Sequence, residues 1–225
     1  MFAALPSAPS EATPFVDMTF NGLSSGASYQ FSVGNGSGGI FRWTVNDNDV
    51  TDTGNPFPVT NGDTLITFCI ELVETISTNQ AVIYESIDPS GAPVNNGIYG
   101  PLGYAKKMKM RAWFGNFWQG NSVSDWTSDQ ARAFQLGLWE IVYEDYAQIG
   151  NINSGVFTRT GGSTSGVSTA NNWFATMDDN VMRTFFALSA PNTEDSRLKQ
   201  DQVTVPEPTT VALISAGVVA MAHRK

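Results

Sequence analysis

The stretch L-I-T-F-C-I-E-L, Leu65 to Leu72, decides how the rest of the chain is read. Side chains alternate across a strand, so Ile66, Phe68, Ile70 and Leu72 share one apolar face. Thr67, Cys69 and Glu71 fall on the other, which is only half apolar. The thiol therefore does not join the greasier side. Other stretches alternate in the same way, with Tyr29-Gln30-Phe31-Ser32-Val33 and Phe41, Trp43 and Val45 as further strands. Gly34-Asn35-Gly36 and Asn61-Gly62-Asp63 supply turn residues. Residues 13 to 100 thus read as strands and turns, and no repeat of solenoid or propeller length is visible.

One segment breaks the pattern. Thr127 to about Glu144 has helical periodicity, with Ala131, Phe134, Leu138, Trp139, Ile141 and Val142 on one broad arc. Thr127 with Gln130 fits a capping box, and Asp129 suits the positive end of the helix dipole. Gln135 lies inside the apolar arc, where an amide left without hydrogen bonds costs about 1–3 kcal/mol, so a partner is expected. After this helix, Gly150 to Ala170 reads as a polar surface loop, and Trp173 to Leu188 as a helix and a final strand. The expected fold is α+β: mainly antiparallel β, barrel or sandwich, with a helical insert, followed by a short C-terminal hydrophobic helix. The expected organisation is an N-terminal remnant at 1–12, a globular domain at 13–190, a polar stalk at 191–204 and a tail at 205–225.

Composition narrows the function. Six Trp and fourteen Phe among 225 residues supply a packed core, whereas charged residues make up only 15%, against about 25% in average globular chains. A net charge of −9 argues against sequence-independent nucleic-acid binding, which needs a basic face. The run Lys106-Lys107-Met108-Lys109-Met110-Arg111 reads as a local solvated edge. Cys69 is the single cysteine, so no internal disulfide forms. The only histidine, His223, lies in the tail, which excludes histidine-based triads and histidine-ligated zinc in the processed domain. No cofactor is implied. The one metal reading is calcium at Asn46-Asp47-Asn48-Asp49-Val50-Thr51-Asp52, which lacks the Gly and distal Glu of an EF-hand loop. A distant alternative is a hydrolase using paired carboxylates, with Glu71, Glu74, Glu140 and Glu144 as candidates by type. Glu140 and Glu144 read as a solvated helix face.

The tail runs V-P-E-P-T-T-V-A-L-I-S-A-G-V-V-A-M-A-H-R-K, Val205 to Lys225. Its uncharged run Thr209–Ala222 would span about 21 Å as a helix, short against a hydrocarbon core of about 30 Å. Pro206 and Pro208 keep the preceding residues extended, and Arg224 and Lys225 suit the cytoplasmic side of a membrane. This segment resembles the PEP-CTERM sorting signal of diderm bacteria. Val205, Pro206, Glu207 and Pro208 form its motif; Val211, Ala212, Leu213, Ile214, Gly217, Val218 and Val219 form its membrane helix; and Arg224 and Lys225 form its basic end. The resemblance implies export, transient inner-membrane anchoring, processing by an exosortase, and a mature protein at the cell surface or in the extracellular matrix. The basic cluster departs from the pattern, with His223 where a third Arg is usual. Met1 to Ala12 is too short for a complete secretion signal but resembles the small-residue end of one. Gln200-Asp201-Gln202 matches the domain end common in proteins with this tail.

A second resemblance rests on Phe68-Cys69 and on Phe134-Gln135-x-x-Leu138-Trp139. It is to the thioester domains of bacterial surface adhesins, and it implies a Cys69–Gln135 thioester, with Phe134, Leu138 and Trp139 as its environment, that opens onto an amine-bearing ligand. Two functional classes follow: a covalent adhesin, or a non-covalent binding or structural matrix protein whose ligand is a surface or a polysaccharide. In the second, the same residues are packing core. Neither is an enzyme with turnover.

Overall fold

The structure, a computed structural model, describes residues 14–50, 57–72, 74–93, 100–190 and 199–205. Seven strands and three helices follow in order: β1 Phe15–Phe31, β2 Gly34–Asp47, β3 Thr64–Cys69, β4 Ala81–Ile87, α1 Gly103–Phe117, α2 Ser128–Tyr143, β5 Arg159–Gly162, α3 Val167–Thr176, β6 Phe186–Ser189 and β7 Gln202–Thr204. The sheet order is β2-β3-β7-β6-β4-β1-β5, and β2 also pairs with β1. Six strands therefore close into an antiparallel barrel, with β5 added outside β1. The fold is α+β and mostly β, and of the two expected architectures it is the barrel.

Closure removes sheet edges and gives the wall two buried faces. Inside sit Val16, Met18, Phe20, Trp43, Leu65, Cys69, Tyr84 and Leu188. Outside, Ile66, Phe68, Ile70 and Leu72 meet the helices through Phe114, Phe134, Leu138 and Ile141. The expected alternation of β3 is thus observed, but its half-polar face is buried in the barrel rather than spare. Thr67 accepts a hydrogen bond from Trp43 Nε1 at 2.8 Å and donates to Gln202 Oε1 at 2.7 Å. A polar residue paired in this way inside a small barrel removes the desolvation cost that would otherwise forbid it.

Helix α2 begins where its cap predicts: Thr127 Oγ1 accepts from the Gln130 N–H at 3.2 Å, and Gln130 Oε1 accepts from the Thr127 N–H at 2.9 Å. Several boundaries differ from the sequence reading. The β1–β2 turn lies at Ser32-Val33, and Gly34 to Gly36 belong to β2. Helix α3 starts within the stretch read as loop. Helix α1 carries the basic run, with its lysines individually engaged: Lys106 Nζ donates to the Val142 carbonyl at 2.7 Å, while Lys107 and Lys109 pair with Asp88 and Asp179. The expected stalk is corrected at its end. Residues 191–198 lie outside the described residues, but Asp201 to Val205 are buried, and β7 closes the barrel between β3 and β6. Polar letters there misread as linker, because Gln202 and Thr204 find partners inside.

The sorting motif beyond Val205, the membrane helix and the basic end also lie outside the described residues, as do residues 1–13. Among the described residues, no helix is long and apolar enough to cross a membrane.

Candidate functional site: the Cys69–Gln135 contact

Cys69 is the last residue of β3, and Gln135 sits midway along α2. The β2–β3 ladder ends at the Phe41–Thr67 pair, and beyond it β2 stays with β1. Cys69 would then have a backbone N–H and C=O facing no strand, a costly state for buried groups. The side chain of Gln135 takes the place of the missing strand. Its Oε1 accepts from the Cys69 N–H at 3.1 Å, and its Nε2 donates to the Cys69 carbonyl at 2.5 Å. This answers why an amide occupies the apolar arc of α2: it extends the sheet's hydrogen bonding by one residue.

The approach requires glycine on the facing strand. A Cβ at Gly38 would lie 2.8 Å from Gln135 Cγ and 3.1 Å from the Trp139 ring, and one at Gly36 would lie 2.9 Å from the same indole. Trp139 packs edge-on to Phe31 and Tyr29, and Phe134 leans on Phe68 with ring centroids 4.8 Å apart. Cys69, Gln135, Phe134 and Leu138 are fully buried and Trp139 is 1% exposed. The site is dry.

The thiol itself turns to the chain that follows. Sγ donates to the Glu71 carbonyl at 2.8 Å and accepts from the Glu71 N–H at 3.2 Å. Burial pushes the thiol well above its ordinary range, the neighbouring Glu71 and Asp201 carboxyls push the same way, and contacts with Glu71's backbone and the Trp139 indole oppose them. Cys69 is therefore neutral at neutral pH.

Beside it stand Glu71 and Glu74, which the sequence offered as carboxylate candidates by type alone. Glu71 is fully buried; its Oε2 accepts from the Asp201 N–H at 2.8 Å, while Oε1 has no hydrogen-bond partner among the described residues. Burial raises Glu71 to about 8, and Glu74, which bears on it directly, is raised as well, again chiefly by burial. A signal was present in Glu71, a carboxylate two residues beyond Cys69 in the alternating stretch, but its burial depends on the distant β7.

The other two carboxylates have a different role from the one expected. Glu140 and Glu144 are fully buried, not on a solvated face. Glu140 Oε1 accepts from Gly150 and Asn151, and Glu144 accepts from Asp145, Val156 and Phe157. They fasten the loop after α2 by its backbone. In the calcium candidate, Asn46 bonds Asp17 and Thr19, and Asn48 bonds Asn61 and Val59. Residues 51–56 lie outside the described residues, and among those described no group of three or more His, Cys, Asp or Glu comes together as a metal site.

No protein-family model, no curated protein and no solved structure matches this chain. The site is accordingly interpreted on its own chemistry.

Proposed function

We propose that the chain is an exported surface or extracellular-matrix protein that attaches covalently to an amine-bearing ligand through an internal thioester between Cys69 and Gln135. The observation that carries this reading is the Gln135 amide held against Cys69 in a site closed to water. Forming the bond joins Sγ to the side-chain carbonyl carbon of Gln135. The carbon–nitrogen bond breaks, and the amide nitrogen leaves as ammonia with the thiol proton. The Cys69 N–H donated to Oε1 supports charge building on that oxygen as the carbon becomes tetrahedral. Dryness preserves the product, since a thioester is open to hydrolysis.

Export, exosortase processing and transient membrane anchoring are carried by the order Pro-Glu-Pro, apolar run, basic end in the tail. Removing residues 205–225 should release the protein from the membrane fraction of an expressing diderm host if that reading is right. Retention after removal counts against it.

A second reading is favoured by the same hydrogen bonds. Both polar atoms of Gln135 already satisfy the backbone of Cys69, and the thiol is engaged by Glu71, so the cluster can serve as core in a non-covalent matrix protein. Intact mass of the purified chain, made without reductant or amine buffers, separates the two. A mass low by one ammonia in the wild type, and full in Cys69→Ala, supports the thioester. A full mass with a thiol that alkylates after unfolding supports the second reading.

A further inference from the structure

We propose that the carboxyl pair Glu71–Glu74 is the proton acceptor for opening of the Cys69–Gln135 bond, and that the groove Glu74 borders admits a primary amine to it. This rests on the thioester reading and deepens it. The groove has a volume of about 480 Å³ and runs between the β1–β2 hairpin and the segment after β3, with Ser28, Gln30, Asn35, Leu72 and Glu74 along it. Among the described residues lining it, Glu74 is the one carboxylate and no lysine or arginine is present. A cation is the ligand that fits such a lining, in a chain of net charge −9. A Cβ added at Gly36, also on the groove wall, would meet Leu72 and the Trp139 indole, and one at Gly38 would meet Gln135 and the same indole. Leu72 and Trp139 thus stand between the groove and the buried bond, and the amine reaches the bond only when these side chains move aside.

Glu71 links the two. Its backbone holds the Cys69 thiol from both sides, and its carboxyl interacts directly with that of Glu74. The other charged or titratable groups around the pair are Asp201, Tyr84 and Lys199. An amine enters as an ammonium ion and must lose a proton before it attacks. One carboxylate oxygen of the pair takes that proton, the nitrogen bonds to the thioester carbon, and the carbon–sulfur bond breaks. The remaining proton released by the nitrogen neutralises the Cys69 thiolate. The products are an amide and a free thiol. Burial raises both carboxyls, Glu71 to about 8, which suits that group to take a proton close to the working pH.

The test uses the full chain with methylamine as probe, and follows mass gain and thiol release between pH 6 and 9. Glu74→Gln and Glu71→Gln should keep the ammonia-deficient mass yet react on the order of 10²-fold more slowly, with a flattened pH profile. Glu74→Asp should recover part of the rate. Both Gln variants reacting at the wild-type rate with the wild-type profile would overturn the proposal and leave the thioester intact. Loss of the mass deficit in a Gln variant that still melts like wild type would move the pair to bond formation, and overturns its role in amine entry. A full wild-type mass would remove the thioester and this inference together.

Discussion

Replacing Gln135 by Glu changes one NH2 group for an oxygen and tests the sheet-extending role of the amide. The experiment belongs in a Cys69→Ala background, where no thioester can form. When protonated, the carboxyl reproduces both hydrogen bonds, donating to the Cys69 carbonyl and accepting from its N–H. When ionised, it sets a buried charge against that carbonyl. Burial of this depth raises a carboxyl by about 3–5 units, and each unit is about 1.4 kcal/mol. The sign follows from linkage. The folded pKa lies above the unfolded one, so stability is present below about pH 4 and is lost as pH rises toward the folded pKa. The expected loss is about 4–5 kcal/mol by pH 8, comparable to the whole stability of a marginal domain. Gln135→Leu, which leaves two buried backbone groups unpaired, should cost about 2–5 kcal/mol at every pH. Urea midpoints at pH 5 and pH 8 distinguish the two. If the Glu variant is equally stable at both, or the Leu variant loses less than about 1 kcal/mol, the amide does not hold Cys69 as described.

Three further outcomes follow from the packing. Gly38→Ala should destabilise by about 1–3 kcal/mol in thermal unfolding, because its Cβ meets Gln135 and Trp139, neither of which has room to move. Glu144→Gln should cost about 1–3 kcal/mol, since the amide oxygen can keep the Asp145 and Val156 N–H groups only by turning its NH2 toward the Phe157 N–H, and exchange of that amide should accelerate. Burial raises Glu140 to about 7, so its contribution to stability is fullest below about pH 4 and is lost as pH rises through 7. Glu140→Gln should remove up to about 3 kcal/mol of that loss, read from urea midpoints between pH 4 and 8.

The strand at 64–69 and the helix at 128–143 were legible because each has one clean periodicity and, for the helix, a cap that works locally. The demand of Gln135 for a partner was legible too, because an amide in an apolar arc has no local way to be satisfied. The identity of that partner was not, since it depends on where β2 parts from β3. Glu140 and Glu144 misled for a related reason. Spacing of one helical turn looks alike on a wet face and on a face covered by a returning loop, and only the loop's backbone N–H groups tell them apart. Gly34 to Gly36 were read as a turn by composition, whereas glycine at 36 makes room for Trp139. Helix α1 has weak apolar patterning, with lysines on much of its surface, so its packing against α2 was not visible locally. The end of the 191–204 stretch reads as stalk because each polar side chain is judged without the barrel that receives it.

The last described strand has a consequence for the order of events in the cell. β7 is three residues long and sits between β3 and β6, and its Gln202 bonds Thr67 across 135 residues of sequence. The barrel cannot seal until nearly all of this chain is available, and contacts of such separation form late and slowly. Until then β3 has one open flank, Glu71 has no Asp201 N–H, and Cys69 remains wet. The chemistry proposed for the site is therefore timed by its own final strand, and until the seam is stitched the chain carries an open thiol with its ordinary reactivity toward solvent species.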